Sequence, residues 1–118
     1  MKKLSESRLE FIRRMDVVYQ DLQQKHYAAA PRNGDIPTGG GDWMDMHFRC
    51  EALRGCMGAL RTGKKLHEAI ADGRAVSSIA VGLWNNRREY QVHRWEQTAW
   101  DYLDRIIIQI RREMDRLK

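Results

Sequence analysis

Hydrophobic residues recur at helical spacing near the start of the chain. Four of them are separated by four, three and four residues, which places them on one stripe of a helix. The pattern predicts a first helix over residues 5–29. Ser7 has capping-box spacing to Glu10, and Ser5 is the alternative N-cap. The stripe consists of Phe11, Met15, Val18 and Leu22.

A segment rich in proline and glycine follows at residues 30–41. Both prolines of the chain and a run of three glycines lie in it, so it predicts a mobile loop and not a helix or strand. About a dozen residues is long for a connection between two helices, and loops of that length often carry function.

Helical spacing resumes after the loop and predicts a second helix over residues 42–72. Alternating steps of four and three residues define its apolar stripe, and a neighbouring stripe contains only small residues. Small residues in register allow another helix to approach closely. We expect the helix to end before Gly73, a candidate left-handed C′ residue, although Gly63 is a second place where it can break. The small stripe consists of Ala52, Cys56, Ala59 and Gly63.

Two further helices are predicted, a short one over residues 75–84 and a long one over residues 86–117. The consecutive isoleucines 106–108 span about 200° of the last helix at about 100° per residue. Such a wide apolar surface indicates either a central position in the bundle or contact with a second chain. The predicted fold is therefore all-α, a small antiparallel bundle of three long helices and one short helix.

Self-association is one way to bury the extra apolar surface of the last helix, so a homo-oligomer is expected. A second apolar face adjoins the main stripe of this helix. The predicted oligomer interface consists of Trp100, Leu103, Ile107 and Ile108.

Composition agrees with a single helical domain of 118 residues in which 42% of residues are hydrophobic and 31% are charged. No apolar run approaches the length of a membrane span, so no membrane partner is expected. Six residues separate Cys50 from Cys56, about 9 Å along a helix axis and too far for a disulfide. Reduced thiols favour a cytoplasmic location.

The net charge of +5 makes nucleic acid a possible partner, although the charge is spread along the chain. Residues 1–41 carry +2, residues 42–72 carry 0 and residues 73–118 carry +3. Several arginines of the last helix are spaced so that phosphate contacts and base stacking can follow. Interleaved acidic residues can also pair with these arginines. The candidate nucleic-acid residues are Arg87, Arg88, Arg94, Arg105, Arg111 and Arg112.

Enzymatic chemistry has weaker support, and no cofactor is expected. Gly40 and Gly41 occupy the positions where a P-loop needs Lys and Ser or Thr, which excludes that mode of phosphate binding. His and Glu residues on two helices could face each other across a bundle and hold a metal, but their spacing departs from the usual Glu-x-x-His pattern. The candidate metal ligands are His47, Glu51, Glu89, His93 and Glu96.

These patterns favour a non-enzymatic protein that binds another protein, as a small accessory, adaptor or inhibitor of bacterial or phage type. Nucleic-acid binding is the alternative function, and a metal-dependent enzyme is the weaker alternative. The expected partner-binding residues are exposed aromatic and basic side chains near the last helix and the glycines of the loop. They are Trp84, Tyr90, Arg94, Gly39, Gly40 and Gly41.

Overall fold

The computed structural model confirms an all-α antiparallel helical bundle, and it describes residues 4–29, 32–33, 36–37, 41–84 and 89–117. Side chains are described for residues 4–28, 43–83 and 94–117. Within the predicted loop, two short strands pair antiparallel, with Arg32 opposite Pro37. Residues 30–31, 34–35 and 38–40 of that loop lie outside the described residues. The prediction that the loop is mobile falls on these residues. In chain order the elements are α1 (Glu6–Ala29), β1 (Arg32–Asn33), β2 (Ile36–Pro37), α2 (Gly41–Arg61), α3 (Leu66–Trp84) and α4 (Glu89–Arg116).

The N-terminus of α1 is capped by Ser5, the second of the two predicted candidates. Its hydroxyl oxygen accepts a hydrogen bond from the Arg8 backbone N–H at 3.1 Å, and its carbonyl accepts the first helical bond from Leu9. Ser7 is the second residue of the helix and is exposed. A side-chain acceptor at the N-cap satisfies one of the free amides of the first turn, which explains where the helix begins.

The predicted helix over residues 42–72 is wrong, because the chain turns at Gly63. Gly63 has a φ of 91°, a left-handed conformation that side chains with a Cβ rarely adopt. Its N–H donates to the Leu60 carbonyl, and the Lys64 N–H donates to the Ala59 carbonyl, each at 3.1 Å. This pair of bonds is a Schellman motif, so α2 ends at Arg61.

Helix α3 begins directly after this turn, which also corrects the predicted short helix over residues 75–84. The Glu68 carboxylate accepts a hydrogen bond from the Lys65 backbone N–H at 3.0 Å, one half of a capping box. Helix α3 then continues to Trp84 over 19 residues. Gly73, predicted to end a helix, is instead a buried residue in the interior of α3.

The predicted close approach of a helix to the small stripe is confirmed, and the approaching helix is α3. A Cβ placed on Gly73 would lie 2.6 Å from the Ala52 carbonyl oxygen and 3.1 Å from the Cys56 Cβ. A Cβ placed on Gly55 would lie 2.8 Å from the Val76 side chain. These glycines therefore set the short distance between α2 and α3.

Helices α2 and α4 both contact the other three helices, so both are central to the bundle. Phe48, Leu53 and Met57 of α2 are almost completely buried. Ile106 and Ile107 of α4 are buried too. The central position of α4 therefore explains the wide apolar surface that the sequence predicts for this helix. In the described part of the chain, no helix combines the length and apolar character needed to cross a membrane.

Candidate functional site

Three stacked aromatic rings join the end of α1 to the start of α2. The His26 ring lies 5.0 Å from the Trp43 ring and 5.3 Å from the His47 ring, measured between centroids. The Trp43 and His47 rings are nearly parallel, with an interplanar angle of 4°. Phe48 follows in the core and contacts Trp95 of α4. Residues 43 and 47 stack because one helical turn separates them.

A groove opens beside this stack, between α2 and α3, and we call it the α2–α3 groove. Its volume is about 360 Å³. One wall is polar and comes from α2, and the other is apolar and comes from α3. Ile79 and Leu83 on the apolar wall retain 64% and 80% of their exposure, which is unusual for two neighbouring large apolar side chains. The groove is lined by His47, Glu51, Arg54, Val76, Ile79, Ala80 and Leu83.

The polar wall contains an ion pair and a neutral histidine. Arg54 donates two hydrogen bonds to Glu51, and this bonding raises the pKa of the guanidinium. Burial lowers the pKa of His47, while nearby Glu51 opposes that change. Burial also lowers the pKa of His26, and the neighbouring His47 lowers it further. Because both imidazoles favour the neutral form, the groove carries one balanced ion pair beside an apolar face.

The predicted metal ligands do not form a site within the described residues. His47 and Glu51 both line the groove, but Glu51 is occupied by Arg54. Glu96 lies on α4, whereas the side chains of Glu89 and His93 lie outside the described residues. Where side chains are described, no three His, Cys, Asp or Glu residues are placed to hold a metal ion.

Both cysteines are free thiols in the interior of the bundle. Burial raises the pKa of Cys50 and of Cys56 to about 12 in each case. Thiolate is the nucleophilic form, so these thiols are poorly suited to nucleophilic chemistry near neutral pH. Both thiols therefore act as packing groups in the interior of the bundle.

The predicted partner-binding residues are only partly described. Arg94 is exposed on α4, as expected for a contact residue. The side chains of Trp84 and Tyr90 lie outside the described residues, as do Gly39 and Gly40, while Gly41 is the first residue of α2. The structure therefore leaves these residues as predictions.

The predicted oligomer interface is corrected for two of its four residues. Leu103 is fully buried and Ile107 is 4% exposed, because α4 packs against three other helices of the same chain. Trp100 is half-buried and donates from its ring N–H to the Arg74 carbonyl at 3.2 Å. Ile108 alone is well exposed, at 49%. Four residues predicted as one apolar face therefore divide between the core and the surface.

Sequence reasoning assigned Ile79 and Leu83 only to a short apolar helix and did not identify them as surface residues. The buried face of α3 consists mainly of smaller residues, so these larger side chains remain outside. The sequence pattern that could have identified Ile79 and Leu83 is a helix with two apolar stripes, one of small residues and one of large residues. The buried stripe of α3 consists of Ala69, Gly73, Ser77, Ala80 and Val81.

Two acidic side chains of α4 pair with arginines on other helices. Asp104 binds Arg74 of α3 at 3.0 Å, and Glu113 binds Arg14 of α1 at 3.1 Å. The predicted nucleic-acid residues Arg105, Arg111 and Arg112 form no ion pair with any described side chain, and neither does Arg94. The side chains of the remaining two, Arg87 and Arg88, lie outside the described residues.

Comparisons with protein-family models, with curated proteins and with solved structures gave no match to this chain. Its function is therefore inferred from the described side chains and from their geometry.

Proposed function

We propose that this chain is a non-enzymatic accessory protein of the cytoplasm that binds another protein in the α2–α3 groove. The observation that carries the proposal is the exposure of Ile79 and Leu83 side by side on the apolar wall. Burying a large apolar side chain of this kind contributes about 1.5–3 kcal/mol, so leaving both exposed is unfavourable unless a partner covers them. The cytoplasmic location is proposed because both buried cysteines are free thiols.

The partner element that fits is an amphipathic helix. Val76, Ile79 and Leu83 repeat at three and four residues, so they form a straight apolar stripe about 10 Å long along α3. A partner helix laid along the groove can place residues of its own i, i+3, i+4 and i+7 stripe against it. Glu51 and Arg54 on the opposite wall supply one charge of each sign for the polar edge of that helix.

Site-specific photo-crosslinking in the source cells tests this proposal. A photoreactive amino acid replaces Ile79 or Leu83, and the matched control replaces Val17, an exposed apolar residue on α1. We expect one crosslinked protein at both groove positions and not at the control position. Ile79→Asp should abolish the crosslink formed from position 83 because a carboxylate would face the partner's apolar stripe. Products that are the same at positions 17, 79 and 83 would contradict the proposal.

A second copy of this chain is the competing occupant, since self-association was expected from the sequence. Light scattering of the purified protein distinguishes the two. We expect the mass of one chain, with the groove open to a different protein. A mass of two chains that Ile79→Asp returns to one would show that the groove is a homodimer interface and would overturn the proposal.

A further inference from the structure

Four exposed arginines lie on one line along the outside of α4, and we call this line the arginine stripe. At about 100° per residue, its four members lie within about 40° of one another around the helix axis. At about 1.5 Å per residue they extend over about 33 Å. All four are exposed, and none is within ion-pair distance of a described carboxylate. The arginine stripe consists of Arg94, Arg105, Arg112 and Arg116.

Arginines elsewhere in the described chain are mostly neutralised by close partners. Arg14 contacts Glu10 and Glu113, Arg49 contacts Asp45, and Arg74 contacts Asp104. Asp104 and Glu113 of α4 are held by neighbouring helices through such contacts, whereas Asp101 and Asp115 of α4 remain exposed. Asp101 is the acid nearest the stripe in angle, and its carboxylate accepts a hydrogen bond from Gln97 at 2.8 Å.

From this arrangement we infer that the arginine stripe binds the phosphate backbone of duplex nucleic acid. A row of guanidiniums about 33 Å long matches one turn of a duplex, which is about 34 Å. Arginine suits phosphate because its planar group donates two parallel hydrogen bonds to the oxygens. The C-terminal three members of the stripe line one cavity of about 330 Å³ with Ile108, Gln109 and Glu113.

The surroundings of the stripe favour a duplex over a single strand or a membrane. Single-strand binding depends on exposed aromatic rings that stack on bases. The described aromatic side chains of α4 are engaged inward: Trp95 contacts Phe48, Trp100 contacts Arg74, and Tyr102 lies under Arg49. A membrane-surface helix needs a continuous apolar face beside its cations. The arginine stripe offers only Ile108 among the described side chains near it.

Fluorescence anisotropy with a 20-base-pair DNA duplex tests the inference on the purified full chain. Four phosphate contacts predict a slope of about −3.6 in log affinity against log salt concentration, so affinity should fall roughly 150-fold between 50 and 200 mM salt. The variant carrying Arg105→Gln, Arg112→Gln and Arg116→Gln should reduce that slope to about −0.9. Absence of duplex binding at 50 mM salt would overturn the inference.

A control of equal charge separates the stripe from net charge. Arg13→Gln, Lys25→Gln and Arg61→Gln remove three exposed cations that already pair with acids on other faces. This control should keep the steep slope and lose less than threefold in affinity. Equal losses in the two triple variants would show that net charge alone attracts the duplex and would overturn the inference.

A variant that binds the duplex more tightly provides a further test, because misfolding would weaken duplex binding. Asp101→Asn removes the acid nearest the stripe and should tighten duplex binding several-fold, whereas Asp21→Asn on α1 should change it little. Tighter binding to a single-stranded oligonucleotide than to the duplex would refute the choice of a duplex. Binding to vesicles with anionic lipid in the absence of duplex binding would assign the stripe to a membrane surface instead.

Discussion

Replacing Gly73 by alanine tests whether the close contact between α2 and α3 determines the packing of the bundle. Gly73 is buried in the middle of α3, where alanine is ordinarily the better helix former. The added methyl group would lie 2.6 Å from the Ala52 carbonyl oxygen and 2.9 Å from a methyl carbon of Leu103. Both distances are shorter than ordinary van der Waals contact, so α2 and α3 must move apart or α4 must shift.

Two opposing effects set the size of the change. Removing a helical glycine favours the folded state by about 1 kcal/mol. Overpacking a buried site costs about 1–3 kcal/mol. The upper part of that range applies here because the nearest atom is a backbone oxygen of α2, which cannot rotate away as a side chain can. Gly73→Ala should therefore lower the free energy of unfolding by about 1–2 kcal/mol.

Urea unfolding followed by circular dichroism at 222 nm measures this change. Gly58→Ala is the matched control, since Gly58 is also helical but a Cβ placed there meets nothing within 4 Å. The control should raise the free energy of unfolding by about 0.5–1 kcal/mol. If Gly73→Ala proved as stabilising as Gly58→Ala, the close approach of α2 and α3 would not be a packing constraint.

Three further predictions address the turn, the histidines and the cysteines. Gly63→Ala should destabilise the protein by about 1–2 kcal/mol in the same assay, because it forces alanine into a left-handed conformation. Stability should fall as the pH drops from 7.5 to 5.5. Burial lowers the pKa values of His26 and His47 below 6.5 in the folded state, so the unfolded state takes up protons first. Replacing both histidines with glutamine should flatten that dependence, and an unchanged dependence would contradict their role. Cys50 and Cys56 should react with iodoacetamide at pH 8 much more slowly in the native protein than in urea; equal rates would show that burial does not protect them.

The existence of helices was predictable from the sequence, whereas the choice between Gly63 and Gly73 as the place where the second helix ends was not. The apolar stripe of the predicted helix ends at Leu60 and the small stripe ends at Gly63, so the pattern offers Gly63 as a break but does not exclude a helix that continues to residue 72. Gly63 and Gly73 both resemble helix-ending glycines in a local sequence signal. Packing distinguishes the two glycines. A Cβ placed on Gly63 would meet nothing within 4 Å, whereas a Cβ placed on Gly73 would lie 2.6 Å from the α2 backbone. That information is tertiary and does not appear in the local pattern.

The α2–α3 groove could not be predicted from the sequence for the same reason. The groove exists because α3 turns back along α2 and presents its small residues inward, which leaves Ile79 and Leu83 outside. With a predicted break at Gly73, residues 75–84 had no assigned orientation relative to His47 or Glu51. The identity of the groove residues therefore followed only once the position of the turn was known.

The arginine stripe shows how tertiary pairing can concentrate charge that is mixed along the sequence. Asp104 and Glu113 alternate with arginines on α4, which favours neutralisation along the helix when only the sequence is considered. In the bundle these two acids bind Arg74 and Arg14 on other helices instead. Each such pair neutralises an acid on a flank of α4 without engaging one of the arginines of α4. Because exposed single ion pairs contribute about 0–1 kcal/mol, their larger effect here is on the distribution of charge and not on stability. Weakening either pair by Arg74→Gln or Arg14→Gln would free a carboxylate near α4, and duplex affinity should then fall although neither arginine belongs to the stripe.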